Sequence, residues 1–489
     1  MTIAVVGAGM GGLAAAIEMA ARDHEVIVYE RAEGPGGKVG VAEEKGAAFD
    51  TGPSVLTLPR VLAALFGTAG RGVEEELNLV QPAPWFQYRF PDGTRLDVHH
   101  DVTDTLASVE ATMGAAARDD LAEFLEYAFQ IWEAAAPNFI FAPAPSVGSM
   151  LNLGLSAPSE IWNIDPLSTM WGAIKKRVDD ERLRWLLARY ATYVGADPRE
   201  APATLNCIAW VELGGGAYGI DGGMYELALA LERIAADLGV EFRYETPVHE
   251  LVVDDGAVDR VIAEDGEESV DAAVVNADVG HLVEDLMPAA GVDAITSEAP
   301  ASMSGWTAVW QASEIGAGDR AAHTVLFPET YLEEFDAIFG EGRVPASPTI
   351  YACNQGLSHG REGWAEADPL FAMVNAPPVS RTEEREDWEA LSRRVGGRLA
   401  AAGLVADDDP VVWARTSDEL ADQFPGSSGA IYGRAANSRL AAFRRPPNRV
   451  SQVDGLYLAS GSAHPGGGVP MCLQSGRLAA RAAAEDTGD

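Results

Sequence analysis

The chain opens on an apolar, β-branched run, Thr2 to Val6, which reads as a buried parallel strand. Leu13 to Arg22 then carries a helical period, with Leu13, Ile17 and Ala20 or Ala21 on one face. Glu25 to Tyr29 is a second buried run and finishes on Glu30. Trp85 to Val98 predicts a hairpin turning at Pro91-Asp92-Gly93, and Glu241 to Ala263 predicts paired strands around Asp254-Asp255-Gly256. Asp101 to about Arg199 is mainly helical. Ala272 to Val275 and Leu456 to Ala459 are further buried strands, and a helix runs to about Ala484. Ser304 to Gln311 alternates so that Trp306, Ala308 and Trp310 share a face, as core or as the wall of an apolar tunnel, with core the safer reading. Arg320 to Asp422 is mixed and acidic and predicts no definite element.

Between the first strand and helix lies Gly7-Ala8-Gly9-Met10-Gly11-Gly12, which contains G-x-G-x-x-G. The first glycine allows the tight turn, the second lets backbone approach a pyrophosphate, and the third lets helix and strand pack closely. The helix start presents free N–H groups to phosphate. Glu30, eighteen residues after Gly12, stands where a carboxylate holds ribose hydroxyls. A glycine-rich turn that binds nothing is the alternative, and strand, turn, helix, strand and acid in register argue against it. Arg31 beside Glu30 would suit a 2′-phosphate, a weaker reading.

A second glycine-rich loop, Gly461 to Gly468, opens the C-terminal helix through Val469, Pro470 and Met471. Proline suits a first helical turn, and such a helix start stabilises an anion.

Composition narrows the class. The 489 residues hold 74 acidic and 35 basic side chains, a net charge of −39, with acid spread along the chain. A phosphate backbone would be repelled, so nucleic acid is not an expected partner. A solvated acidic shell suited to a salt-rich cytoplasm explains the charge more simply than an acidic interaction surface. Cys207, Cys353 and Cys472 lie far apart, with no metal-ligand spacing and no disulfide framework, which fits a reducing cytoplasm. The length predicts two or three domains. The N-terminus lacks a basic region of the secretory kind, and no apolar stretch is long enough to span a membrane. Pro137 to Pro145 (PNFIFAPAP), followed by Trp162, Trp171 and Trp185, is either a mouth touching membrane or admitting an apolar substrate, or ordinary packing of helix ends.

The pair Gly36-Gly37 and Lys38, following Glu30 and Arg31, resemble the extended fingerprint of the two-dinucleotide-binding flavoproteins, which implies FAD. Asp23 departs from the glycine common there, at little cost, since Asp tolerates a left-handed backbone. With Phe49–Pro59, Tyr218–Leu231, Val274–Asp278 and Ser427–Arg477, the chain resembles the phytoene desaturase family of carotenoid desaturases, within the amine oxidase-like superfamily. Gly461-Ser462-x-His464-Pro465-Gly466-x-Gly468-Val469-Pro470-Met471, Arg189 to Gly195 and Ala430 to Arg434 resemble the 1-hydroxycarotenoid 3,4-desaturase branch.

The resemblance implies an α/β fold. A Rossmann-type FAD-binding domain would comprise residues 1–80, 201–282 and 450–489. A mixed-sheet substrate domain would take 81–110 and 283–449, and a helical subdomain open to membrane contact 111–200. The FAD set would be Gly7, Gly9, Gly11, Gly12, Glu30, Arg31, Gly37, Lys38, Gly52, Pro53, Ser54, Val248, Gly461, Ser462, Gly468, Val469, Pro470 and Met471. His464 is the candidate catalytic group, because it is the titratable residue nearest the flavin-facing helix start.

The implied reaction is desaturation, with hydride passing to the flavin and a proton lost from the neighbouring carbon. The implied partner is a carotenoid drawn from lipid through transient contact of a cytoplasmic protein with membrane. No residue singles out the electron acceptor. Amine oxidases place a lysine near the flavin from the second half of the chain, and here no lysine follows Lys176. Other carotenoid readings are phytoene desaturation, cis–trans isomerisation and a flavin-free carrier.

Overall fold

The computed structural model describes residues 1–488 except 147, 149–161, 289–298, 314–320, 382–385 and 439–444. Part of the expected helical subdomain, 147 and 149–161, therefore lies outside the described residues.

A five-stranded parallel sheet organises the nucleotide-binding side, in the order Glu241–Arg243, Glu25–Tyr29, Thr2–Val6, Ala272–Val275, Leu456–Leu458. Its inner strands are buried on both faces, as their unbroken apolar runs require. Helices Met10–Ala20 and Tyr225–Asp237 contribute Leu13, Ile17, Leu227 and Leu231 to the apolar cluster on one face; Leu251, Val261, Val275 and Leu458 pack on the other. The first helix starts at Met10 rather than Leu13, because Gly11 and Gly12 form its opening turn. Glu241–Arg243 also departs from the reading: it joins the parallel sheet beside Glu25–Tyr29, while Val248–Asp254 and Ala257–Ala263 make the expected hairpin.

A seven-stranded sheet forms the second side, in the order Val411–Arg415, Ser304–Ser313, Ala367–Ala376, Ile350–Asn354, His323–Leu326, Phe86–Arg89, Arg95–Val98. The hairpin turning near Asp92 is its edge, and the strands between His323 and Arg415 supply most of its width. Trp306, Ala308 and Trp310 are core: they pack with Leu391, Val395 and Leu399 of helix Trp388–Ala401.

Helices Val102–Met113, Ala115–Ala135, Met170–Arg177 and Glu181–Ala188 pack beside this sheet in one apolar cluster, with Trp185 against Phe327 and Tyr331. Among the described residues, no helix is long and apolar enough to cross a membrane.

Candidate active site

The carboxyl ends of the parallel strands converge on one crevice, where a ligand is expected in an open α/β sheet. Gly7 has φ +101°, a conformation open to glycine, and its N–H donates to Tyr29 O at 2.8 Å. A Cβ on Gly9 would strike Asn276 Oδ1; on Gly11, Ala459 O; on Gly12, Gly7 O. The loop is glycine-rich because three strand ends meet there without room for side chains. Asn276, which the sequence reading did not select, is the clasp: its Nδ2 donates to Ala459 O, joining two strand ends under the loop.

Glu30 is buried at the end of the second strand. Its two carboxylate oxygens accept from Ala8 N at 2.7 Å and Ala32 N at 2.8 Å. A carboxylate has lone pairs left for ribose hydroxyls. Arg31 is exposed. Gly36 N donates to Ala8 O at 2.8 Å, and Gly37, at φ +59°, lies against Gly9. The two glycine segments therefore form one wall. Thr246 N donates to Glu30 O at 2.9 Å, bringing the strand that starts at Val248 to the Glu30 side.

Lys38 points across the crevice. Its Nζ donates to Ala430 O at 3.1 Å and Ile431 O at 3.2 Å, and desolvation lowers its pKa against the opposing pull of Asp278. Gly52 packs on Lys38 O, and Ser54 is buried. Asp50, just before them, was missed by the sequence reading. It receives Met224 N at 2.8 Å and Tyr225 N at 3.2 Å, and pairs with Arg361 at 2.8 Å. It thereby ties this segment to the helix after Gly222-Gly223.

The C-terminal loop closes the crevice. Ser462 Oγ accepts from Val279 N at 3.0 Å and meets Ser460 Oγ at 2.9 Å, while Arg445 Nη1 donates to Gly461 O at 3.0 Å. Gly468 N-caps the helix Val469–Thr487 with Pro470 in the first turn. Gly476 of that helix packs on Gly11 O and Ala14.

His464 is buried in this loop. Its ring meets Ala142 O through Nε2 at 3.0 Å, so Nε2 carries the proton and donates, and Nδ1 is left as the acceptor. Desolvation is the main cause that pushes its pKa down to about 4. The contact also brings the Pro137–Pro145 segment against the loop.

Two observations test whether a dinucleotide fits. The helices at Gly9 and Gly468 have no side-chain cap and no acidic residue in their first turns, in a chain with 74 acidic residues. Their N–H groups are left for an anion. Between them, Lys38, Asp278, Arg445 and Cys472 keep accessible surface, yet desolvation is the largest influence on each; it pushes the Cys472 thiol up to about 11 and Arg445 down to about 10. Open helix N-termini at both ends with half-buried ionisable groups between them fit an elongated, twice-anchored dinucleotide.

Fold and site define a dinucleotide-dependent oxidoreductase of the flavoprotein type. The chain belongs to the flavin-containing amine oxidoreductase family, whose model matches residues 10–484. Its cofactor is FAD. It is 38% identical to a hydroxyneurosporene desaturase of Rhodobacter capsulatus, covering 99% of this chain and 98% of that one. It is 34% identical to a hydroxyneurosporene desaturase of Rubrivivax gelatinosus, over 98% and 92%. Among solved structures, an oxidoreductase from Methanosarcina mazei superposes with TM-score 0.64 at 17% identity, over 99% of this chain and all of that one. Putrescine oxidase gives 0.64 at 14%, over the whole of both. At those identities the likeness speaks to the fold.

Proposed function

We propose that this enzyme desaturates a long, apolar carotenoid, and that the bond it introduces is the 3,4 bond of a 1-hydroxylated carotenoid. Full-length similarity to hydroxyneurosporene desaturases supports the reading. The observation that carries it is the extent of that similarity, 98–99% of this chain. Beside the C-terminal loop, Gly467 packs on Tyr432, whose N–H donates to Ser302 Oγ at 3.1 Å; Ser302 lies against Gly195, which ends the turn carrying Tyr193. Aromatic side chains beside a flavin suit a polyene, whose binding is mostly hydrophobic burial.

FAD supplies the acceptor for a hydride removed from the substrate. The chain's residues orient the polyene and exclude water. Hydride loss leaves an allylic cation whose adjacent proton is acidic, so a weak base suffices. His464 Nδ1 is the base we assign: low basicity keeps it unprotonated near neutrality. We assign the FAD contacts to the residues named from the sequence, with Glu30 on the ribose and Gly461 to Met471 at the flavin. The domain limits follow the same assignment.

The membrane contact is assigned to the surface bearing Trp162 and Leu167, which are 67% and 62% exposed. Lys175 and Lys176, half of the chain's lysines, lie exposed on the nearby helix Met170–Arg177. Exposed apolar side chains beside lysines suit an anionic lipid surface.

The test is anaerobic incubation of FAD-loaded protein with a 1-hydroxylated carotenoid in liposomes at high salt. Flavin bleaching with a red-shifted product two mass units lighter is expected. Oxidised flavin with unchanged carotenoid overturns the substrate. An isomerised product of unchanged mass overturns desaturation.

A further inference from the structure

Arg189 opens the helical turn Arg189–Val194, directly over the strand Phe86–Arg89. It is a buried guanidinium that no carboxylate among the described residues pairs with. Its Nη1 donates to Tyr88 OH at 3.3 Å and Tyr193 OH at 3.4 Å, both long. The rings of Phe86, Tyr88, Tyr193 and Tyr351 surround it at 5.2–5.9 Å.

The hydrogen-bond directions around it are fixed. Tyr193 OH donates to Glu212 Oε2 at 2.6 Å and Tyr190 OH to Oε1 at 2.9 Å. Tyr193 therefore offers Arg189 a lone pair, and buried Glu212 balances the buried cation through it. Arg189 Nε and Nη2 receive no acceptor from the described residues. What remains unsatisfied is donor capacity inside a charge-balanced cluster. Across Phe86 and Tyr351 lies another orphan: His323 Nε2 is buried without a partner, while its Nδ1 meets Tyr351 OH at 2.8 Å.

Tyr193, Tyr351 and Tyr432 are half-buried, and burial raises all three phenols. Tyr432 also packs on Gly467, and its N–H donates to Ser302 Oγ at 3.1 Å; Ser302 lies against Gly195 at the end of the Arg189–Val194 turn, which links the cluster to the loop assigned to the flavin.

We infer that Arg189, flanked by Tyr193 and Tyr351, is the subsite that grips a neutral oxygen at one end of the substrate, a hydroxyl or ether. The inference deepens the proposed function and rests on its reading of a polyene substrate. An acceptor is required because a guanidinium has only donors to offer. A neutral one is required because Glu212 already balances the cation, and an anion would leave the cluster with net charge in a desolvated interior. Hydrophobic burial alone lets a polyene slide along its tunnel. One polar grip at the end sets which carbon pair stands at the flavin, and it rejects the hydrocarbon analogue by leaving donors unmet.

The test compares a 1-hydroxylated acyclic carotenoid with the hydrocarbon of equal chain length, in wild type, Arg189→Met, and the charge-neutral double variant Arg189→Met/Glu212→Gln. Carotenoid binding is read from quenching of flavin fluorescence, and turnover from flavin bleaching. Wild type should prefer the hydroxylated polyene. In both variants that preference should fall by about 10- to 100-fold, the worth of a hydrogen bond to a charged group. The double variant guards against a fold lost to an unpaired Glu212. A preference intact in FAD-loaded variants, or no preference in wild type that turns over both polyenes, overturns the inference. Arg189-dependent preference in binding without turnover of either polyene upholds it and overturns the proposed reaction.

Discussion

Ala8 N–H donates to Glu30 Oε2 at 2.7 Å, so the residue that ends the second strand holds the loop that ends the first. The carboxylate acts on both sides of the crevice: it fixes the glycine loop and faces the place assigned to the ribose. Glu30→Ala should weaken FAD binding by about 10- to 100-fold, the loss expected for charge-assisted hydrogen bonds. Flavin fluorescence titration of the apoprotein measures it. Unchanged affinity would show that the carboxylate serves the loop alone.

Gly12 and Gly67 make a matched pair. A Cβ on Gly12 would lie far inside 3.0 Å of Gly7 O, so Gly12→Ala must displace the loop. It should yield protein without bound flavin and less stable by about 1–3 kcal/mol, the usual cost of overpacking. Gly67, in helix Pro59–Thr68, has open space around it. Gly67→Ala should stabilise by about 0.5–1 kcal/mol, with flavin content unchanged. Urea denaturation and the flavin-to-protein absorbance ratio check both.

The buried pair of Asp50 and Arg361 should be costly to break from either side. Side-chain exposure is 2% for Asp50 and 11% for Arg361. Asp50→Ala strands the guanidinium and uncaps Met224 N and Tyr225 N, with an expected loss of about 3–5 kcal/mol. Arg361→Met should cost less, because Asp50 keeps its two backbone donors. Chemical denaturation of the two variants tests the order.

His464 gives a pH signature. Its folded pKa of about 4 lies below its unfolded value, so the unfolded chain binds the extra proton first. Its contribution to stability is complete above about pH 6.5 and declines as pH falls toward 4. Between pH 7 and pH 5 wild type should lose about 2 kcal/mol that His464→Gln does not lose. Parallel denaturation series at the two pH values supply the comparison. Equal slopes would mean that the ring is solvated.

The parallel sheet was legible because buried central strands are unbroken apolar runs, and the glycine loop because its spacing is dictated by phosphate chemistry. Asp23 does take a left-handed backbone, φ +63°, as expected of that departure. The middle of the large sheet was not legible. Ile350–Asn354 and Ala367–Ala376 are antiparallel strands largely buried on both faces, so they lack clean alternation, and acidic turns interrupt them. Glu241–Arg243 misled because three residues next to a hairpin give no local sign of which sheet they will join. Asn276, Asp50 and Arg361 escaped for another reason. Each acts through a partner 174 or more residues away, as in Met224 N to Asp50, and no local pattern encodes such a meeting. Arg189 was noticed in a motif, but its importance lies in unmet donors, which only the packed surroundings reveal.

The first and last helices touch where Gly476 packs on Gly11 and Ala14. The opening strand pairs early with Glu25–Tyr29, but its other neighbour, Ala272–Val275, arrives only past the middle of the chain, and Leu456–Leu458 completes the sheet near the end. During synthesis the glycine loop therefore leaves the ribosome early and waits, with its apolar flanks exposed, for nearly the entire polypeptide. Capture of the flavin is a closing event in the life of the nascent chain, and a truncated translation product carries the fingerprint but no yellow colour.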